Sequence, residues 1–268
     1  MDHQVTTSRP SFPEIHDEHL ESLGWDVKVC LPDSQKSWIS RAFMIKDEIK
    51  VRYYNRSSKQ IVDYKCDDSD LVLLSGTPAT CVNIALNHIY KDIDFDLVIG
   101  GPNFGRNITT IYTLASGTIG CAMEGVMNGK KAIALSFCFC NRDLASLKNC
   151  CETASDAIQH LYEIGNWPEG GLFNINIPMV DYRCPYHLTT FYHEKKTRSL
   201  FTKVEGKETK FIFNHESDHG ENDAPYGTDK WAVLNKYVSV TPMVASYKDI
   251  VSPDTTYGLE ELNENTTQ

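Results

Sequence analysis

The chain has 268 residues, 41% hydrophobic and 23% charged, which excludes wholesale disorder and fits one α/β unit with an appendage. Lys and Arg number 26 against 36 Asp and Glu, giving a net charge of −10. This excludes broad binding of duplex nucleic acid, which needs a basic face, so an anionic substrate must be caught by local dipoles and a few placed cations.

The first residues, MDHQVTTSRPSF, hold no apolar run, and no stretch reaches the roughly 18 apolar residues of a membrane span. The expectation is a cytoplasmic protein without membrane contact. Nine Cys are present, none in a C-x-x-C pair, and the Cys138/Cys140 and Cys150/Cys151 spacings do not suit zinc knuckles. They read as small buried hydrophobes of a reducing compartment.

In chain order, residues 1–13 form a loose polar segment, and 14–250 an α/β domain. His16 to Leu23 reads as a short, charged, solvated helix stopped by Gly24. WDVKVCLP (25–32) reads as a strand with Val27, Val29 and Leu31 alternating. Residues 46–70 read as exposed hairpins or loops, with Asp67, Asp68 and Asp70 solvated. VLLSG (72–76) is a buried strand type. Thr77 is placed to cap a helix, with Pro78 at its first position and Val82, Ala85, Leu86 and Ile89 on one face. DFDLVIGG (94–101) is a strand, followed by a polar loop over 102–115. SGTIGCAMEGVMNG (116–129) is a second capped helix with Ile119, Met123 and Val126 in a stripe. KAIALSF (131–137), a helix over Cys150–Gly165 and LFNINIP (172–178) continue the alternation. Residues 182–225 read as a protruding hairpin arm, 231–243 as a strand and 251–268 as a polar tail. Strands alternating with helices predict a three-layer α/β/α, Rossmann-like, mostly parallel sheet with an extended C-terminal hairpin arm.

Ligands of open α/β sheets bind at the carboxyl ends of the strands. The pieces there are Pro32, Asp33 and Ser37; Gly76 to Pro78; Gly101 to Asn107; and Ser116-Gly117-Thr118. A Ser-Gly-Thr at a helix start offers free backbone N–H groups, two hydroxyls and the positive dipole end, which suits a phosphate. Taken alone, an ordinary Ser cap explains the same residues. Asn103 and Asn107 can supply an amide oxygen to a hard cation and a donor to a phosphate oxygen, or can simply form turns. Arg106 reads as solvated rather than as a phosphate ligand. GPNFGRN lacks the G-x-G-x-x-G spacing of a dinucleotide loop.

In this order the pieces resemble the SurE family of metal-dependent phosphatases and nucleotidases. The matching segments are PDSQKSWIS (32–40), GTPATCVNIAL (76–86), DLVIGGPNFGRN (96–107), SGTIGCAMEG (116–125), KAIALSF (131–137), FNINIP (173–178) and GTDKWAVLNKYVSVTPM (227–243). YTLASGT (112–118) and the KSW of 36–38 are more similar to fungal members than to bacterial ones. The resemblance implies Ser37 and Asn103 as ligands of a divalent cation, Mg²⁺ or Mn²⁺. It implies Asn107, Ser116, Gly117 and Thr118 as phosphate contacts. It also implies a small phosphorylated substrate, and a homodimer or larger homo-oligomer built through the arm.

One part of the family pattern does not occur. Family members carry a first strand ending in Asn-Asp-Asp-Gly, whose aspartates are the charged metal ligands. This sequence has no apolar strand leading into an acidic pair, so no catalytic residue is assigned. Two neutral oxygens make a poor site for Mg²⁺ or Mn²⁺, so the cation is expected to bind weakly or not at all. His16 and His19 share a helical face but are not read as a replacement. A sheet without that strand leaves a central part of its ladder unpaired. The expectation is a metal-dependent phosphoric monoester hydrolase of 5′/3′-nucleotidase or acid-phosphatase type, impaired by the missing carboxylates. The alternative is a non-catalytic phosphate- or nucleotide-binding member, or an oligomeric scaffold.

Overall fold

The computed structural model describes residues 12–138, 143–193, 199–206, 209–213 and 224–246. The expected loose start and polar tail fall almost wholly outside these, as does Cys140.

Helix α1 (Phe12–Ser22) leads into β1 (Cys30–Pro32). Only three of the eight residues expected to be extended enter a ladder, because β1 has a partner on one side only. Residues 46–70, expected as exposed hairpins or loops, do hold a hairpin, and it joins a sheet. There β2 (Val51–Asn55) and β3 (Gln60–Val62) form an antiparallel hairpin, and β2 also pairs with β4 (Leu71–Leu74). The completed sheet has the order β1-β4-β2-β3, with β1 and β4 parallel. Helix α2 (Pro78–Ile84) starts as expected, the Thr77 hydroxyl accepting from Thr80 N at 3.1 Å, and continues into a π-helical turn at Ala85–Ile89.

The second half follows with β5 (Leu97–Phe104), α3 (Thr109–Ala115), α4 (Gly117–Met127) and β6 (Lys131–Cys138). Helix α3 lies in the stretch expected to be a loop. It carries no side-chain cap, which is why the sequence does not announce it. Helix α5 (Leu144–Ile164) starts six residues earlier than expected. Asp143 caps it, and Gly165 ends it at φ 69°, a left-handed value that suits glycine. After α5 come β7 (Gly171–Pro178) and β8 (Tyr186–Leu188). The arm is a hairpin of β9 (Phe201–Lys203) and β10 (Phe211–Phe213). Helix α6 (Asp229–Leu234), capped by Thr228, replaces the first part of the expected last strand, leaving β11 (Val238–Val244). These strands form a sheet of order β5-β6-β7-β11-β8, parallel except where β11 runs against β7.

Alternation along β6 shows the layering. Ala132 and Ala134 pack with Ile119 and Ala122 of α4, while Ile133, Leu135 and Phe137 pack with Cys150, Ala154 and Ile158 of α5. Helix α2 packs against both β1 and α4, so one helical layer covers parts of both sheets. Helix α1 packs on α5 and β5 from the other side. The two sheets do not pair. Their free parallel edges are β1 and β5, half-buried along most of their length, whereas β4 and β7 are buried throughout.

Candidate functional site

Three chain segments meet at the carboxyl ends of β1 and β5. The loop after β1 is held at both ends. Asp33 N donates to Leu74 O at 2.8 Å, and Ser40 N donates to Ala115 O at 2.9 Å. Arg41 then reaches Glu124 in the middle of α4, donating from Nε at 2.9 Å to a carboxylate only 3% exposed. Asn83 of α2 donates to the same carboxylate at 2.9 Å. A buried, fully engaged Glu124 therefore locks the loop and both helices together.

Glycines permit the close approach. A Cβ on Gly120 would lie 2.3 Å from Ser40 O, and one on Gly100 would lie 2.5 Å from Thr118 O. A Cβ on Gly117 would meet Lys36 O at 3.2 Å and Pro78 at 3.0 Å. Thus the Ser37 loop, β5 at Gly100 and the first turn of α4 lie together. Ser37 is exposed, and its hydroxyl accepts from Gln35 Nε2 at 3.0 Å. Asn103 is half-buried, just past a register shift in β5. Ser116 caps α4, its hydroxyl accepting from Ile119 N at 3.3 Å, and Gly117 and Thr118 form the first turn. An α-helix offers no internal acceptor to the N–H groups of that turn, so they point toward any anion at the corner.

Asn107 is placed differently. It lies in a buried polar network rather than at the corner's surface. Its Nδ2 donates to Ser136 Oγ at 2.8 Å, and its N–H donates to Asn176 Oδ1 at 2.8 Å. Its carbonyl accepts from Asn174 at 2.8 Å and from Thr113 Oγ1 at 3.3 Å. The loop bearing it is anchored to the sheet, and the side-chain nitrogen expected to contact phosphate is already used. Arg106, expected to be solvated, lies over the Tyr112 ring at 5.5 Å. Tyr112 in turn meets Trp38 edge-on at 5.6 Å, and Trp38 meets Phe213 of the arm at 5.1 Å. An aromatic wall thus runs from the site to the arm.

The carboxylates do not assemble into a cation site. Asp33 is the acidic residue of the corner loop, and Arg52 already pairs with it at 2.9 Å. Among the described residues no group of three His, Cys, Asp or Glu side chains is placed to hold a metal. Ser37 and Asn103 offer neutral oxygens only. The residues here do not fit Mg²⁺ or Mn²⁺, which need carboxylates. A shallow cavity of about 270 Å³ between Lys91, Asp94 and Lys130 lies before the start of β5, away from this corner.

Two charged clusters differ from the expectation of solvation. Asp67 and Asp68 are exposed, but Asp70 is 5% exposed and accepts from Asn55 Nδ2 at 2.8 Å and Cys66 N at 2.6 Å. It closes the β3–β4 turn. His16 and Asp17 are 3% and 4% exposed. Burial lowers the His16 pKa to about 4, with help from nearby His19, and raises that of Asp17 to about 7 despite the Arg56 partner. His16 Nε2, Asp17 Oδ1 and Arg56 Nε find no partner among the described residues. Of the described cysteines, Cys81, Cys138, Cys150, Cys151 and Cys184 are buried as expected, and Cys66 is exposed.

Comparison with known proteins decides the family. The model of the family described as "Survival protein SurE" matches residues 13–199. The chain belongs to the SurE family. The crystal structure of the SurE protein from Aquifex aeolicus superposes with a TM-score of 0.66 at 26% identity, covering 98% of this chain and 96% of that one. A protein named 5′-nucleotidase SurE from Methylorubrum populi is 29% identical over 85% of this chain and 89% of its own length. A fungal relative from Saccharomyces cerevisiae, named probable tubulin–tyrosine ligase PBY1, is 30% identical over 90% of this chain. The chain spans only 39% of that relative's length. No described helix is long and apolar enough to cross a membrane.

Sequence reading missed Glu124, Arg41, Asn174 and Asn176, which bond to the elements around this corner. A signal existed for the two asparagines. Asn174 and Asn176 interrupt an otherwise apolar strand, and a polar residue there needs a partner.

Proposed function

We propose that this SurE chain acts on phosphate monoesters as a nucleotidase or phosphatase, with nucleoside monophosphates as the substrate class. The observation that carries the reading is the convergence of the β1 loop, β5 at Gly100 and the first turn of α4 on one corner. There Ser116, Gly117 and Thr118 grip the phosphoryl oxygens through backbone N–H groups, the Thr118 hydroxyl and the helix dipole. Asn107 orders the neighbouring loop, and Ser37 and Asn103 face the same substrate with neutral oxygens. The names of the bacterial relatives support the reaction class.

The carboxylates needed to hold a divalent cation are not gathered here, and this favours a second reading, nucleotide binding without turnover. Release of inorganic phosphate from AMP and from an aryl phosphate, with and without Mn²⁺, separates the two. Release that falls at least tenfold in Ser116→Ala supports hydrolysis. No release from folded protein in either condition, with AMP binding by calorimetry, replaces it with the binding reading. We place the protein in the cytoplasm as a homo-oligomer. Phe201, Phe211 and Ile212 of the arm are 52–63% exposed, and such apolar surface suits a second copy. Sedimentation tests this, with a monomer as the contrary outcome.

A further inference from the structure

We propose that Asp229 is a positioning residue for this phosphate grip, a buried carboxylate clamp that fixes the loop of Asn107 to the root of the arm. The proposal rests on the reading of the corner as a phosphate site. Asp229 begins α6 and is fully buried. Backbone N–H groups satisfy it. Its Oδ2 accepts from Thr109 N at 2.7 Å. Its Oδ1 accepts from Tyr192 N at 2.9 Å and from Lys230 N at 2.7 Å. Two segments distant in sequence, at Thr109 and Tyr192, thus end on one carboxyl group of α6. A buried carboxylate persists only when such donors satisfy it.

The donor from Thr109 is the informative one. Thr109 has φ 64°, a left-handed value that a β-branched residue resists. Its own hydroxyl is buried without a partner among the described residues. Something must hold this backbone against its preference, and Asp229 Oδ2 is the group bonded to it. Two residues earlier, Asn107 enters the Ser136–Asn174–Asn176 network. Immediately afterwards, α3 carries the chain to Ser116. Releasing Thr109 therefore lets α3 and the start of α4 shift together. On the other side, Tyr192 O accepts from Thr110 N at 3.1 Å, so the arm root is pinned to the same turn.

The test is Asp229→Asn. The amide oxygen keeps the position that serves two donors, so the NH₂ faces Thr109 N–H and the clamp fails on that side only. Titration with inorganic phosphate should give a Kd about tenfold weaker, the consequence of one lost charged hydrogen bond. Thr109→Gly, which adopts φ 64° without strain, should bring Kd of the double variant back to within about threefold of the parent. Equal affinity of parent and Asp229→Asn, or no recovery with Thr109→Gly, overturns the proposal. Amide exchange in the unaltered protein gives a reading that needs no variant. Thr109 and Tyr192 N–H should exchange as slowly as the β6–β7 core, and fast exchange of either overturns the clamp. A parent that binds no phosphate while both amides stay protected removes the reading of the corner and leaves the clamp standing.

Discussion

The centre of the five-stranded sheet and the contact between α1 and the β2–β3 hairpin treat buried polar groups in opposite ways. In the five-stranded half, Asn107, Ser136, Asn174 and Asn176 satisfy one another, and Thr189 Oγ1 pairs with Ser239 at 2.8 Å and Thr241 at 2.7 Å. Where α1 meets the β2–β3 hairpin, His16, Asp17 and Arg56 each leave an atom without a partner. Strand β7 is also paired on both sides, whereas β1 is an edge. The difference teaches that the Asn107 loop is held by satisfied groups of the five-stranded sheet, while the loop after β1 is anchored from β4 and β2. The α1 side adds coverage at an electrostatic cost.

The largest effect separates a strand paired on both sides from an edge strand, and it is core truncation. Ile175→Ala, in the middle of β7 and fully buried, should cost about 2–5 kcal/mol in urea unfolding. Ile99→Ala on the half-buried edge strand β5 should cost less than half of that. Equal losses would dissolve the distinction between supported and edge strands. Next comes Gly120→Ala, whose methyl would collide with the Ser40 carbonyl. Overpacking against backbone predicts a loss of about 1–3 kcal/mol together with weaker phosphate binding. Loss of stability without loss of binding would detach the Ser37 loop from the site.

The pH dependence sharpens the comparison on the α1 side. His16 titrates near 4 in the folded state and 6.5 when unfolded, so the unfolded chain takes up its proton first as pH falls. Stability from this group is therefore lost as pH drops from about 6.5 to 4, by roughly 3 kcal/mol at most. Asp17 works in reverse. Its folded value of about 7 lies above the ordinary 3.8, so stability is lost as pH rises from about 4 to 7. The two slopes nearly cancel, and the parent should show little change between pH 4 and 6.5. Asp17→Asn should expose the histidine slope, with stability rising with pH. His16→Phe should expose the opposite slope. Parallel curves for all three proteins would show that neither group is buried as described. The smallest effect belongs to Asp68→Asn, which removes a surface pair with Lys65 and should leave the unfolding midpoint unchanged.

Much of the corner was legible in the chain because its signals are local. Thr77-Pro78 and Ser116-Gly117-Thr118 announce helix starts through capping chemistry, and both helices begin there. The apolar runs of β4 and of β6 up to Leu135 are continuous because those strands are covered on both faces. Helix α3 was not legible, since it has no cap and a left-handed Thr109 at its start. The helical start of 229–234 hid inside a segment whose apolar spacing also suits a strand. The burial of His16 and Asp17 contradicts their composition, because packing on α5 and β5 chose that face of α1.

The sequence by itself determined the family, the α/β layering and the capped start of α4, because these follow from local capping chemistry and from the order of short segments along the chain. Only the tertiary structure decided that the ladder divides between β1 and β5, that Glu124 meets Arg41 and Asn83, that Asp229 accepts from Thr109 and Tyr192, and that Asn107 bonds to Ser136 and Asn176. Those outcomes depend on which distant donors and edges meet a given group, and contacts between residues 80 to 120 positions apart leave no periodic trace in the chain.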